Sequence, residues 1–565
     1  MLDLFKTLFL VSTFSIISSC GGGGGGSDSS SSNTGVDATI SSTTPADGET
    51  NVSPETIILA QFSEDMLGSS IDTSSFGVSG SSTVSGAVSF DGGSNEATFM
   101  PDNHLSLLTN YEARLETTIT NLSGDALAAP YSWHFTTADG SWGTPELIET
   151  NNQGAVEAPQ ISVNAAGDGI AVWQQSDGMR VNIWSNRYDA TTDSWGSAEL
   201  IETGNTGDAD APQIAIDTAG NGIAVWHQLD NMRINIWSNR YDATTDSWGT
   251  AELLETDDAG NAQEAKIVVD SEGNGIAVWD QRDSNGSNIW SRLYDAGTNT
   301  WGTPKLVEIG NNAIFGGDSA AVAVNAAGNA IAVWRHTDGI LSNSASSRYD
   351  AATGNWSAPE FIEMNAVVNY QPKNHQIALN ATGNAIAAWI ASKPSTGGFD
   401  VWYNQYDAVR GEWGTPELVS FGSGDARLDD IAFDSAGNGM MIWQQVDNNQ
   451  INLWSKRFDS QTGTWGEPQS IEDGAGNAFA AKMSIDAADN ILAIFSQDNS
   501  IGVKDIWSNR YNAISDSWGT AQLVEMNNVD EAFVPKIGVN GAGEGIAIWY
   551  QEDGIRENLW ANRFE

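Results

Sequence analysis

The chain has 565 residues, with 73 acidic against 24 basic side chains and a formal net charge of −49. Acidity spread along the whole chain excludes a nucleic-acid partner, which needs a basic footprint, and favours a soluble surface. The only cysteine is Cys20, which excludes an internal disulfide.

Residues 1–20 place Lys6 before the apolar run LFLVSTFSII and end in Ile17-Ser18-Ser19-Cys20. The run is too short for a stable membrane-spanning helix and reads as an export signal. Small residues before a lone cysteine resemble the lipobox of bacterial lipoproteins, although Asp3 departs from a positive start. The resemblance implies lipidation at Cys20 and a membrane partner through that anchor. With Gly21 next in sequence, it also implies sorting to the outer membrane, facing the surface or the periplasm. Residues 21–36, rich in glycine and serine, form a flexible tether with a reach of roughly 20 Å.

Residues 37–138 contain no repeat. Ile58/Ala60/Phe62 and Tyr131/Trp133/Phe135 alternate with other residues as sandwich strands do. The opening TTPADGETNV, the segment FSEDM and the closing FTT resemble the SbsA-type bacterial Ig-like domain. The resemblance implies a β-sandwich that serves as a spacer, with no catalytic role.

Residues 139–565 are a repeat. Trp142, Trp195, Trp248, Trp301, Trp356, Trp413, Trp465 and Trp518 mark a beat of 53, 53, 53, 55, 57, 52 and 53 residues. A typical unit, PQIAID-TAGN-GIAVWHQ-LDNMR-INIWSNRYD-ATTDS-WGTAELLET, holds four period-2 runs between turn clusters. Four strands per unit at this period predict a propeller blade. The block opens on a lone fourth strand at 142–149 and stops after a third strand at Phe564. Pairing of these two would close a ring of eight blades and leave no open sheet edge. The expected fold is therefore all-β: an Ig-like β-sandwich followed by an eight-bladed β-propeller.

Each unit has three aromatic slots, Trp173, Trp184 and Trp195 in the first, and 22 of the 23 tryptophans fill them. Phe495 and Ala345 are the substitutes. Such uniform repetition points to packing between blades rather than to sugar stacking. The segment YDATTDSW at Tyr188 resembles the tryptophan-docking turn of quinoprotein dehydrogenases and, more loosely, the Asp-box of sialidases. Its Asp-to-Trp spacing of six departs from both. Only the geometry carries over: Asp caps a tight turn and Trp wedges into the next blade. Arg187, Arg240, Arg348, Arg457, Arg510 and Arg563 recur beside the third-strand aromatic. They are expected to pair between blades with fourth-strand glutamates such as Glu199 or Glu252.

On one face the turns are monotonous, as in NAAGDG at Asn164 and DSAGNG at Asp434. On the other face the connections vary, and varied loops on a rigid scaffold are where binding is expected. Asp177, Asp230, Asp283, Asp338, Asp447 and Asp553 on that face read as turn formers. Units four and five are the longest. Their odd residues Tyr370, Lys373, His375 and Lys393 are the candidate ligand-binding set. The five histidines show no metal-ligand spacing. No catalytic motif is present, and no cofactor is implied. Calcium would suit an acidic surface, but no loop has alternating carboxylates. The sequence thus predicts a monomeric, non-enzymatic binding or adhesion module for a glycan or an envelope protein. A carbohydrate-active enzyme and an envelope scaffold are the alternatives.

Overall fold

The structure is a computed structural model. It describes residues 38–565, apart from 151–152, 205–206, 231, 256–259, 284–285, 309–316, 338–340, 364–370, 394–397, 475 and 527–529. Among the described residues the only helical element is a three-residue 3-10 turn, Gly68–Ser70.

The N-terminal unit is a sandwich of two four-stranded sheets. One runs Ile40–Thr44, Ile58–Phe62, Glu96–Pro101, Gly86–Asp91, and the other Glu49–Val52, Tyr131–Thr137, Asn110–Leu115, Phe76–Ser79. Alternation puts Ile58, Ala60, Phe62, Trp133 and Phe135 inside. The expected inward Tyr131 departs from this pattern. It begins its strand at the sheet's end and is 38% exposed.

Eight further sheets follow, one per repeat. In the second, Ala209–Ile216, Gly222–Asp230 and Arg233–Asp242 pair in antiparallel succession. The fourth run is not one strand. It pairs at Ser247–Trp248 and again at Glu252–Leu253. Gly249 between them donates to Arg240 O at 2.8 Å. The Asn239 amide explains the break: it donates to Gly249 O at 3.1 Å and to Ile201 O of the preceding blade at 2.8 Å. The carbonyls of the bent segment are thus satisfied from the side instead of by a ladder.

The last sheet takes its fourth strand from the start of the array. Trp560 pairs with Leu147 and Ala561 with Glu146. The first strand of blade 1, Val156–Val163, lies beside that of blade 8, Ala532–Val539.

Tryptophans make the seams. The second-strand indoles Trp173, Trp226, Trp279, Trp334, Trp389, Trp443 and Trp549 are fully buried. Several donate to a glutamine two residues on, as Trp443 does to Gln445 at 2.9 Å. The fourth-strand indoles dock backwards rather than into the next blade as expected. Trp356 of blade 4 donates to Ser291 of blade 3 at 2.8 Å, and Trp413 of blade 5 to Ser346 of blade 4 at 2.9 Å. The arginines face forwards. Arg187 lies 5.8 Å from the Tyr241 ring of blade 2 and 3.2 Å from Asp246 on its turn. An aromatic ring and a turn carboxylate of the following blade thus take the role expected of Glu199 and Glu252. Arg348 likewise lies 4.9 Å from the Tyr406 ring of blade 5, and it pairs in addition with Glu360, a fourth-strand glutamate of its own blade.

The sandwich rests on the face of the monotonous turns. Leu107 donates its N–H to Ala542 O at 2.8 Å, and Asp139 lies 3.4 Å from Arg510. Leu107 shares an apolar cluster with Phe564 and Trp549. The face of the varied connections is the opposite one.

Candidate functional site

The first strands of the eight blades stand side by side around a central channel. Each contains a register shift near its start, as between Glu157 and Gln160 or Asp430 and Leu428. In seven of them the bulge holds a non-glycine residue at positive φ, among them Ala158 (49°), Glu264 (56°) and Asn374 (53°). Bulges re-aim the side chains that follow them. The residue just past the bulge is paired with the one preceding the second-strand aromatic. Around the ring it is Gln160, Gln213, Lys266, Ala321, Gln376, Asp430, Lys482 and Lys536.

Nearer the varied face, the residues before the bulge form a second ring. Blades 1, 2 and 4 carry Glu157, Asp210 and Asp318, blades 5 and 6 carry Lys373 and Arg427, and blades 7 and 8 carry Phe479 and Phe533. The mouth is therefore acidic on one side, and cationic and aromatic on the other. A cavity of about 410 Å³ opens on the second side, lined by Lys373, Gln376, Arg427, Asp429, Lys482 and Lys536 among others.

Contacts tie this wall together. Lys482 Nζ donates to Asp429 O at 2.6 Å and lies 3.5 Å from Asp430. Gln376 donates to the same Asp429 carbonyl at 2.9 Å, across the blade seam. Burial, reinforced by repulsion from Lys482, pushes the Lys536 ammonium down to about 7 despite the opposing Asp430 carboxylate. Burial also lowers Lys266, against the pull of Glu264 and with repulsion from Lys482. Asp429 goes the other way. Burial pushes its carboxyl up to about 7, with the Lys482 charge and a 3.0 Å hydrogen bond from Gln444 opposing. Burial thus moves a carboxyl and an ammonium that line the same cavity in opposite directions, each toward its neutral form.

Of the four residues expected to bind a ligand, the structure brings only Lys373 to this cavity. It is exposed, with its ammonium 3.9 Å from the Phe399 ring. His375 sits in the bulge and points inward. It is fully enclosed, shares a 2.8 Å hydrogen bond with Ser344 Oγ, and is held by burial down to about 3. It is a neutral core residue and cannot reach a ligand. Lys393 is only 9% exposed. It pairs with Asp400 at 3.0 Å and bonds to Gly424 O of blade 6. It ties two blades together. Tyr370 and Cys20 lie outside the described residues. Two of the aspartates expected to form turns on the varied face do cap them. Asp177 accepts from the N–H groups of Met179 and Arg180 at 2.8 and 2.9 Å, and Asp553 does the same for Ile555 and Arg556. No cluster among the described residues has the composition of a metal site.

The lysine column was within reach of the sequence. Reading the eight hairpins in register, one position at a time, picks out Lys266, Lys482 and Lys536 against the glutamines of other blades.

Among solved structures, the chain is similar to a protein of unknown function from Dyadobacter fermentans DSM 18053, with 11% identity, 76% of this chain and 99% of that chain covered, and a TM-score of 0.40. It is also similar to the β-propeller domain of the trilobed protease from Pyrococcus furiosus, with 8% identity, 67% and 98% covered, and a TM-score of 0.38. A third is the polysaccharide lyase Uly1, with 10% identity, 65% and 90% covered, and a TM-score of 0.43. No curated protein sequence matches the chain. Residues 35–137 match the family of bacterial Ig-like domains, so the all-β chain joins one such domain to eight propeller blades.

Proposed function

We propose that the protein is a binding module of the cell envelope, held to the outer membrane by a lipid on Cys20, that captures a glycan or a surface protein at the channel mouth. One observation carries the reading. The cavity at the mouth opens on the face opposite the sandwich, so the docked domain leaves it clear. The test is a glycan array probed with the full chain and with Lys373→Glu/Arg427→Glu. Both side chains are exposed, so the fold should survive the change. Binding that disappears in the double variant supports the reading. Binding that is indifferent to both changes sinks this site.

A second reading is favoured by Asp429 and Lys536, a buried carboxyl and a buried ammonium that line one cavity. Such a pair suits general acid–base cleavage of a polysaccharide. Here the measurement is release of new chain ends from each bound glycan. Turnover abolished by Asp429→Asn with binding retained would establish an enzyme.

A further inference from the structure

Four of the chain's nine lysines, Lys266, Lys373, Lys482 and Lys536, stand on first strands, in a protein with a formal net charge of −49. Three of them occupy one register, where three other blades use glutamine. A glutamine there needs no counter-charge. Lysines there repel one another, and the charge on Lys482 is felt by both Lys266 and Lys536. The wall offers Asp430, Glu264 and Asp429 in return, but Asp430 is already engaged by Lys482 and by the Met483 N–H at 3.0 Å, and burial pushes the Asp429 carboxyl toward its neutral form. Half-buried like charges cost stability unless opposite charge meets them. A site that holds them together in an otherwise acidic molecule is built for an anion that arrives from outside.

The neighbouring chemistry narrows the anion. Gln160, Gln213 and Gln376 offer amides at the level of the lysines. At the mouth, Phe533 packs on Tyr550 with ring centres 5.5 Å apart, and both remain partly exposed. Flat apolar faces, amide groups and spaced cations together suit sugar rings that carry acidic groups better than they suit a peptide backbone. We propose that the channel receives an acidic glycan, its carboxylate or sulfate groups set against Lys266, Lys482 and Lys536 and its hydroxyls against the glutamines. This rests on the reading of the mouth as a binding site.

The experiment is calorimetric titration of the full chain with hexagalacturonate, its neutral methyl ester, a sulfated oligosaccharide and hexaglutamate. The variant is Lys482→Gln/Lys536→Gln, which installs the residue that blades 1, 2 and 5 already carry there. Its melting curve checks the fold. The uronate or the sulfated sugar is expected to bind, the ester is not, and the variant should bind about tenfold more weakly or worse. Affinity should rise from about pH 8.5 to about pH 6 as Lys536 takes up its proton and Asp429 on the same wall loses its charge, and the variant should keep only the smaller rise that comes from Asp429. Equal binding of ester and acid, or an unaffected variant, would overturn the proposal. So would hexaglutamate binding as tightly as either sugar, or no binding by either acidic sugar. A neutral glycan captured through Lys373 and Arg427 would leave the binding reading standing while this inference fell.

Discussion

The Arg563 guanidinium lies 5.0 Å from the centre of the Tyr188 ring and pairs with Asp193 on the same blade. Arg563 belongs to blade 8 and Tyr188 to blade 1, so this stack sits where the two ends of the array meet. Arg563→Ala is expected to lower stability by about 1–2 kcal/mol, the scale of one cation–π contact plus a partly exposed ion pair. Melting of Arg563→Ala against Arg187→Ala will show whether the seam is weaker than an ordinary junction. A second residue-scale prediction concerns Glu202, which is 4% exposed. Burial pushes its carboxyl up to about 7, with repulsion from Asp177 adding to the shift. The folded state therefore holds the proton more tightly than the unfolded chain does. The stability tied to this group is complete below its ordinary value of 4.5 and is lost as pH rises through about 7. Glu202→Gln should flatten the fall in stability between those limits, by no more than about 3 kcal/mol, seen as a smaller drop in Tm over that pH range. The sequence displayed the arginine column and its inter-blade role, because a repeat shows which residue recurs. It did not show the partner. Whether a side chain meets the blade ahead or the blade behind depends on the handedness of the ring, which no single unit contains.

At the scale of the element, strand number and hairpin turns were legible because period-2 runs and Gly/Asn/Asp turns are local signals. The broken fourth strand was not, since its break depends on an asparagine reaching from the neighbouring strand. His375 was misjudged for a related reason. It stands out in the sequence only as an odd residue of a long unit, and the bulge that turns it inward has no mark there. Ile148 and Ile201 hold equivalent buried places, in blade 8 and blade 1. Replacement of either by alanine is expected to cost about 2–4 kcal/mol. Only Ile148→Ala should also expose the chain between 138 and 156 to a protease, because only there does the strand belong to a distant part of the sequence. Equal cleavage of both variants would count against a special role for this strand.

The molecule as a whole carries its charge unevenly. The exterior repels itself, while the channel concentrates lysines. Raising ionic strength from ~10 mM to ~0.3 M should therefore raise Tm, because screening relieves the self-repulsion of the acidic surface. The same salt should weaken capture of an anion. Opposite responses of folding and of binding to one titration of salt would separate the two charge systems, and parallel responses would argue that the channel is not a cationic site. The sandwich and the ring of blades were readable at this scale because each rests on repetition or on a motif. The site was not, because it is made where eight first strands converge, with different residues at one shared register.

Glu146 and Leu147 find their strand partners at Ala561 and Trp560, more than four hundred positions later. Along a growing chain, the strand that completes the last blade is among the first parts of the array to be made and the last to be used. It must wait, edge unpaired, through the synthesis of seven other blades. The order of manufacture and the order of assembly are thus opposed. A chain that stops short of Phe564 loses the partner of its own beginning, so damage at one terminus becomes an exposed edge at the other.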